Sequence, residues 1–306
     1  MDYQVFHDES QVNGFWHGML LVPTLKKQAI LECLLEARKN TNYDAPLGIK
    51  KIAKDGGNIY LCAQSWLTIA LASLRTSSKN QAFPYFSGRR SLGYRRYHKD
   101  YQLAPINLTG AKFVLFCERD SFAKMHGHSD HASKFETTFR MGLKGGIHFL
   151  GEDENPISIR RLHFDGHEHH KRHLDHQRIA TRLTSLREYC EIDKRHDLID
   201  DRSSNHQKTN SQDFGDCQFL QLTDLLIGAF RNLLRPSNPV HEKLGRHTVK
   251  GLLDRYYQGY ARMRNSRWFR SFCISQCYLE NDAWKFDTVE YLSNEQPLQM
   301  SLPFFS

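Results

Sequence analysis

The chain has little of what marks a secreted, membrane-bound or metal-ribbon protein. Its seven cysteines are scattered over 306 residues, odd in number and without a CxxC pair, so neither a disulfide framework nor a zinc ribbon is indicated. No apolar run approaches the roughly 20 residues that cross a bilayer, and the N-terminus has no basic stretch leading into an apolar one. These absences make a reduced, cytoplasmic setting away from membranes the expectation. There is no internal repeat and no long low-complexity segment, which leaves a globular core rather than a repeat array. What the chain has in excess is positive charge. A net charge of +8 fits nucleic acid or another polyanion as partner, and says nothing about fold. A hydrophobic content of 40% supports a real core, and the length admits one large domain or a core with an insertion.

The stretch CQFLQLTDLLIGAFRNLL, residues 217 to 234, organises the rest. On a helical wheel its leucines, phenylalanines and Ile227 cover well over half the circumference, the pattern of a helix wrapped by its own domain. The remaining wedge, roughly 100° wide at helical periodicity, holds Gln221, Asp224, Gly228, Arg231 and Asn232. An exposed stripe would carry Lys or Glu. Gly228 one turn above Asp224 costs about 1 kcal/mol relative to Ala in a helix interior, so a close approach there is expected.

Taken in order, residues 3 to 10 and FWHGMLLVP read as two strands joined at Asn13-Gly14, a hairpin. Residues 25 to 40 have Leu and Ile at helical spacing, and a second helix is expected over 62 to 75. Residues 86 to 101 interleave Arg89, Arg90, Arg95 and Arg96 with tyrosines, a mixture that suits phosphates and stacked bases as well as it suits a solvated loop. Residues 111 to 119 read as a strand. SKFETTFRMGLK reads as a helix capped by Ser133 and stopped by Gly145-Gly146. ISIRRLHFDG is an alternating strand ending at Asp165, residues 173 to 190 a helix, and the polar run 201 to 216 a loop. Beyond Pro236 a helical, basic extension is expected.

Four acids recur at informative places: Asp8 and Asp165 at strand ends, Glu136 and Asp224 on helices. Grouped carboxylates repel one another unless a cation neutralises them, and hard Mg²⁺ or Mn²⁺ prefers such oxygens. The N-terminal FHDES together with LQLTDLLIGAFR resembles the family called domain of unknown function 3800. The resemblance covers most of the chain in order of elements, with Gln11 where that family has Gly and Thr223 where it has a small residue. It implies an α/β, RNase H-like fold: a mixed five-stranded sheet flanked by helices. Its core would be residues 1–24 and 111–234, with a helical, basic insertion at 25–110 and a helical extension at 235–306. It also implies a metal-dependent nuclease acting on RNA or DNA, in a bacterial defence or mobile-element context. Asp8, Glu136, Asp165 and Asp224 would be the catalytic and metal-holding acids, with Mg²⁺ or Mn²⁺ as cofactor. Lys134, Arg140 and Lys144 join the four arginines as candidate nucleic-acid contacts.

Each position also has a plainer explanation. Asp8 or Glu9 caps a strand-to-turn junction, Asp165 before Gly starts a turn, and Glu136 pairs with Arg140 four residues on. Glu9, Asp213 and Asp216 are reserve acids, and His206 precedes the last core helix. The run HFDGHEHHKRHLDHQR offers a different chemistry, since His169 and His173 have the four-residue spacing that chelates zinc. No HExxH or paired cysteine accompanies them. Two alternatives to the nuclease therefore stand: a catalytically silent nucleic-acid-binding adaptor, and a zinc-dependent hydrolase built on these histidines.

Overall fold

The computed structural model describes residues 1–74, 108–119, 131–151, 156–165, 181, 190–192, 198–201, 212–263, 270–281 and 283–291. They form a mixed sheet with helices on both faces. In chain order the strands and helices are β1 (Asp2–Ser10), β2 (Phe15–Pro23), α1 (Lys27–Thr41), α2 (Asn58–Ser73), β3 (Lys112–Glu118), α3 (His131–Leu150), β4 (Ile157–Asp165), β5 (Cys190–Ile192), β6 (Leu198–Asp201), α4 (Gln212–Leu234), α5 (Pro239–His247), α6 (Lys250–Met263), β7 (Phe272–Glu280) and β8 (Ala283–Asp287). The sheet runs β5-β4-β1-β2-β3-β7-β8, with β6 also beside β4.

The first hairpin turns through residues 11–14, where Asn13 and Gly14 both adopt positive φ, 55° and 119°, conformations that Asn and Gly tolerate best. Strand β1 lies antiparallel to β2 and parallel to β4, in a register that sets His7 beside Phe164. This places the C-terminal ends of β1 and β4 side by side. Every residue of β2 is buried because helical layers cover it on both faces.

Alternation along the strands sorts two cores. Phe6, Leu20, Phe113 and Leu115 face α4, α1 and α2. Val5, Met19, Val114 and Phe116 face α3. On the first side Phe230 of α4 stacks on Phe113 and Phe272, at 5.7 and 4.7 Å between ring centroids. Each such buried ring contributes about 1.5–3 kcal/mol of apolar burial, which ties β7 and α4 to the sheet centre. Gly18 of β2 is small for the same side: a Cβ there would lie 2.3 Å from Ile227 Cγ1, so only glycine lets α4 settle over β2.

Several sequence expectations change. Helix α3 runs through Gly145-Gly146 instead of stopping there. A Cβ on Gly146 would meet Val114 Cγ2 at 2.4 Å, and one on Gly142 would meet Phe116 Cβ at 2.7 Å. These glycines let α3 lie close on β3, a tertiary purpose rather than a helix stop. The sheet is also wider than five strands. The extension contains helices α5 and α6, but then returns to the sheet as β7, parallel to β3, and β8, antiparallel to β7. Strand β6 lies on the same edge of β4 as β5, farther along. Helix α4 starts at Gln212, so Asp213 and Asp216 belong to it and not to a loop. Among the described residues no helix is long and apolar enough to cross a membrane.

Candidate functional site

The site grows from the two parallel strand ends and the helix laid across them. Asp8 follows Phe6 and Gln4 on the α4 face of β1, because side chains alternate. Asp165 follows His163, whose ring stacks on Phe6 at 4.5 Å, so it emerges on the same face of β4. Asp224 comes down from the middle of α4. All three are half-buried. Burial pushes the Asp8 carboxyl well above the ordinary aspartate range, and the charges of Asp224 and Asp165 push it further. Asp224 is raised to about 6, chiefly by burial and also by Asp165, against the opposing pull of a backbone hydrogen bond and of Lys50 and Arg231. Asp224 and Asp165 thus act electrostatically on Asp8, and Asp165 on Asp224. Among the described residues, however, no three His, Cys, Asp or Glu side chains converge at the spacing that holds one ion. The donor set suits a hard cation by kind, all carboxylate oxygens, without being drawn up around one.

Asp224 is not bare. The Ile49 N–H donates to its Oδ2 at 2.6 Å. Ile49 belongs to a short 3-10 turn, Ile49–Lys51, in the segment between α1 and α2. This is the close approach that Gly228 demanded: a Cβ on Gly228 would stand 2.3 Å from Ile49 Cγ1. Gln221 of the polar wedge is engaged from the same side, whereas Asn232 and Arg231 bond to Ser237 and Asn238 just beyond α4. Gln221 Oε1 accepts from the Leu47 N–H at 2.8 Å and from Arg38 Nη2 at 2.6 Å. Arg38 Nε donates to Gln218 Oε1 at 2.9 Å, Nη1 donates to the Ala45 carbonyl at 2.8 Å, and the guanidinium lies over the Trp66 ring. Arg38 is buried, which pulls its pKa down. Gln221, Asp224 and Gly228 thus form an interface with the segment from α1 to α2, which is built into the core.

Glu136 lies in the other layer. It sits on α3, buried, with Arg140 Nε 3.0 Å from its Oε1, the i,i+4 pair foreseen as its plainer explanation. The carboxylates that act on Asp8 are Asp224, Asp165 and Glu9. The α3 face of the sheet, opposite Asp8, buries a polar chain in which His7 Nε2 and His17 Nδ1 are 2.9 Å apart and His17 Nε2 meets Thr138 Oγ1 at 2.8 Å. The reserve acid Asp216 is buried in α4 and pairs with Lys27, whose amine also donates to Gln4 Oε1 at 2.6 Å. His163 is fully buried, its Nε2 3.2 Å from Gln4 Oε1 and its Nδ1 3.8 Å from Asp216 Oδ2. It belongs to that network.

Of the candidate nucleic-acid contacts, Lys144 is exposed on α3 and Arg140 is engaged with Glu136. Lys134 is on α3, with a side chain outside the described set. Arg89, Arg90, Arg95 and Arg96 lie outside the described residues, as do His167, His169, His170, His173, His176 and His206. Sequence reasoning placed Arg231 on the same helical face as Asp224 but missed Lys50 and the Ile49 amide. It also missed Asp201, which the β4–β6 register sets opposite Asp165. The cue for the last was present in LIDD, a short apolar-to-acid run of the same kind as LHFD. No family model, curated protein or solved structure matches the chain.

Proposed function

We propose that this chain is a metal-dependent nuclease that hydrolyses phosphodiester bonds in RNA or DNA, built on an RNase H-like core. The observation that carries this reading is the joint placement of Asp8, Asp165 and Asp224 on one face, at two adjacent parallel strand ends and under one helix. Their mutual repulsion is a standing demand for positive charge. The strand order β5-β4-β1-β2-β3, with β1, β2 and β3 antiparallel in turn and β4 and β5 parallel to β1, agrees with that core. The net charge of +8 agrees with a polyanionic substrate.

Asp8, Asp165 and Asp224 would hold the Mg²⁺ or Mn²⁺. The chemistry a bound divalent cation supplies at such a site is activation of a water molecule and stabilisation of the leaving oxygen. The chain's own part is to hold the acids in place. Asp8 keeps its proton to a higher pH than an ordinary aspartate, while its Oδ1 accepts the Glu9 N–H at 2.8 Å. The Ile49 amide fixes one oxygen of Asp224. Glu136, in the opposite layer and paired with Arg140, is the weakest of the four acids as a ligand or water-orienting base.

A second reading has one observation in its favour. The lack, among the described residues, of three donors at ligating spacing suits a nucleic-acid-binding adaptor that does not cleave. Labelled RNA and DNA, incubated with the protein in chelator, Mg²⁺, Mn²⁺ or Zn²⁺, separate the readings. Cleavage in Mg²⁺ or Mn²⁺ is expected, with a loss of at least about a hundredfold in Asp224→Asn, the scale of removing one group that balances transition-state charge. A variant carrying His169→Ala and His173→Ala is expected to keep cleaving. Binding without cleavage under any metal would favour the adaptor, and an active Asp224→Asn beside a dead double-histidine variant would favour the zinc hydrolase.

A further inference from the structure

The insertion does more than cover α4. Three observations fix its 3-10 turn against the carboxylates: the Ile49 amide on Asp224 Oδ2, the Ile49 side chain seated on bare Gly228, and the Leu47 amide on Gln221 Oε1. A fourth is at Gly48, where a Cβ would lie 3.1 Å from Asp224 Oδ2, so the backbone itself runs against the carboxylate. A turn held at four points within one helical face has a defined position. The residue after Ile49 is a lysine.

Two cations act on Asp224, and they differ in kind. Arg231 is buried two turns along the same helical face, with Nη1 donating to Ser237 Oγ at 3.1 Å. Lys50 is exposed. Its neighbour Lys51 is turned to other work, donating from Nζ to the Pro46 carbonyl at 3.0 Å. Lys50 therefore combines solvent access, a backbone locked to the site and a charge opposite to the acids beside it. A solvated lysine needs none of the first three clamps.

We infer that the turn Ile49–Lys51 is part of the carboxylate site and that Lys50 contacts a phosphate of a nucleic-acid substrate beside Asp224. This rests on the nucleic-acid reading given above. An ammonium there meets the non-bridging oxygens of a strand lying across the three acids, offsetting the repulsion between phosphate and carboxylate. It makes no demand on base identity, so the contact positions the strand without reading its sequence.

The test uses the full chain and labelled DNA and RNA oligonucleotides, titrated in chelator over a range of salt, with Mn²⁺ binding measured separately by calorimetry. Lys50→Ala is expected to weaken oligonucleotide binding roughly tenfold, the lower end for a hydrogen bond to a charged group. The salt slope should shrink by about 0.7 to 0.9, one phosphate contact. Lys50→Arg should restore most of both. The exposed Lys54, on the same segment, serves as control, and Lys54→Ala should leave both near the wild type. Mn²⁺ affinity moves the opposite way: removing a positive charge next to the acids tightens cation binding in Lys50→Ala. Unchanged oligonucleotide binding, or an equal loss in Lys54→Ala, overturns the assignment. So does weaker Mn²⁺ binding together with weaker oligonucleotide binding, the signature of a turn that has come loose. A wild type that binds no oligonucleotide defeats the nucleic-acid reading itself and this contact with it; a wild type that binds while Lys50→Ala binds equally defeats the contact alone.

Discussion

Asp224→Asn should make the metal-free protein more stable at neutral pH. A carboxyl raised from 3.8 to about 6 carries a penalty for ionising in the folded state of about 2 pKa units, or about 3 kcal/mol at most. The sign follows from the direction of the shift. Because the folded pKa is above the unfolded one, this group's contribution to stability is full below about pH 4 and is lost as pH rises through about 6. Linkage puts roughly half the penalty in place at pH 5 and nearly all of it at pH 7.5. That shift is already net of the Ile49 hydrogen bond and of Lys50 and Arg231, and an asparagine oxygen still accepts from the Ile49 amide. Water reaching the half-buried carboxyl lowers the figure, so a gain of about 1–3 kcal/mol is expected for the variant in chelator at pH 7.5. For a chain of this length that is about 2–5 °C in Tm. The assay is thermal unfolding followed by circular dichroism at pH 5 and 7.5, in chelator and in Mg²⁺ or Mn²⁺. The advantage of the variant should roughly double between the two pH values. It should shrink or reverse when metal is added, because only the wild type gains the full counter-charge. An Asn variant less stable than the wild type in chelator at pH 7.5, or an advantage independent of pH, would refute the reasoning.

Gly228→Ala should gain about 1 kcal/mol of helix propensity and lose about 1–3 kcal/mol to the clash with Ile49, leaving a net loss in denaturant unfolding. The same variant should lose cleavage more than stability, since lifting Ile49 releases Asp224. Arg38→Met keeps the bulk over Trp66 but removes a donor from Gln218, from the Ala45 carbonyl and from Gln221, which keeps only the Leu47 N–H, at an expected cost of about 2–4 kcal/mol. Limited proteolysis should then cut between residues 43 and 51 sooner than in the wild type, whereas a wild-type pattern would show that Arg38 does not hold this segment.

The sequence was most legible where periodicity and chemistry agreed. The first hairpin, both insertion helices and the buried character of α4 followed from spacing alone. Gly228 told that something presses on α4, though not what, because its partner Ile49 comes from far upstream in the chain. Gly145-Gly146 misled for a related reason. A glycine pair reads locally as a helix stop, while Val114 and Phe116 under α3 require small residues in mid-helix. FCISQCYLE alternates like a strand, but the basic, helical stretch before it drew residues 272 to 280 into an expected helical extension. Asp216 looked like a loop acid because its partners, Lys27, Gln4 and His163, are brought to it by folding. The three core acids could be placed in advance since strand ends and a helix face are local properties. Lys50 could not, since its position depends on a tertiary clamp.

That clamp also orders events in time. The turn at residues 49 to 51 leaves the ribosome before its acceptors on α4, 174 and 175 residues further on, have been made. Closing so long a loop is entropically slow compared with forming the hairpin or α1 and α2. A chain released before residue 224 would expose two aspartates on an uncovered sheet, with no third acid, no lysine held beside them and no lid over Phe6. On the proposed function, a site that needs all three acids would be complete only once the last core helix docks.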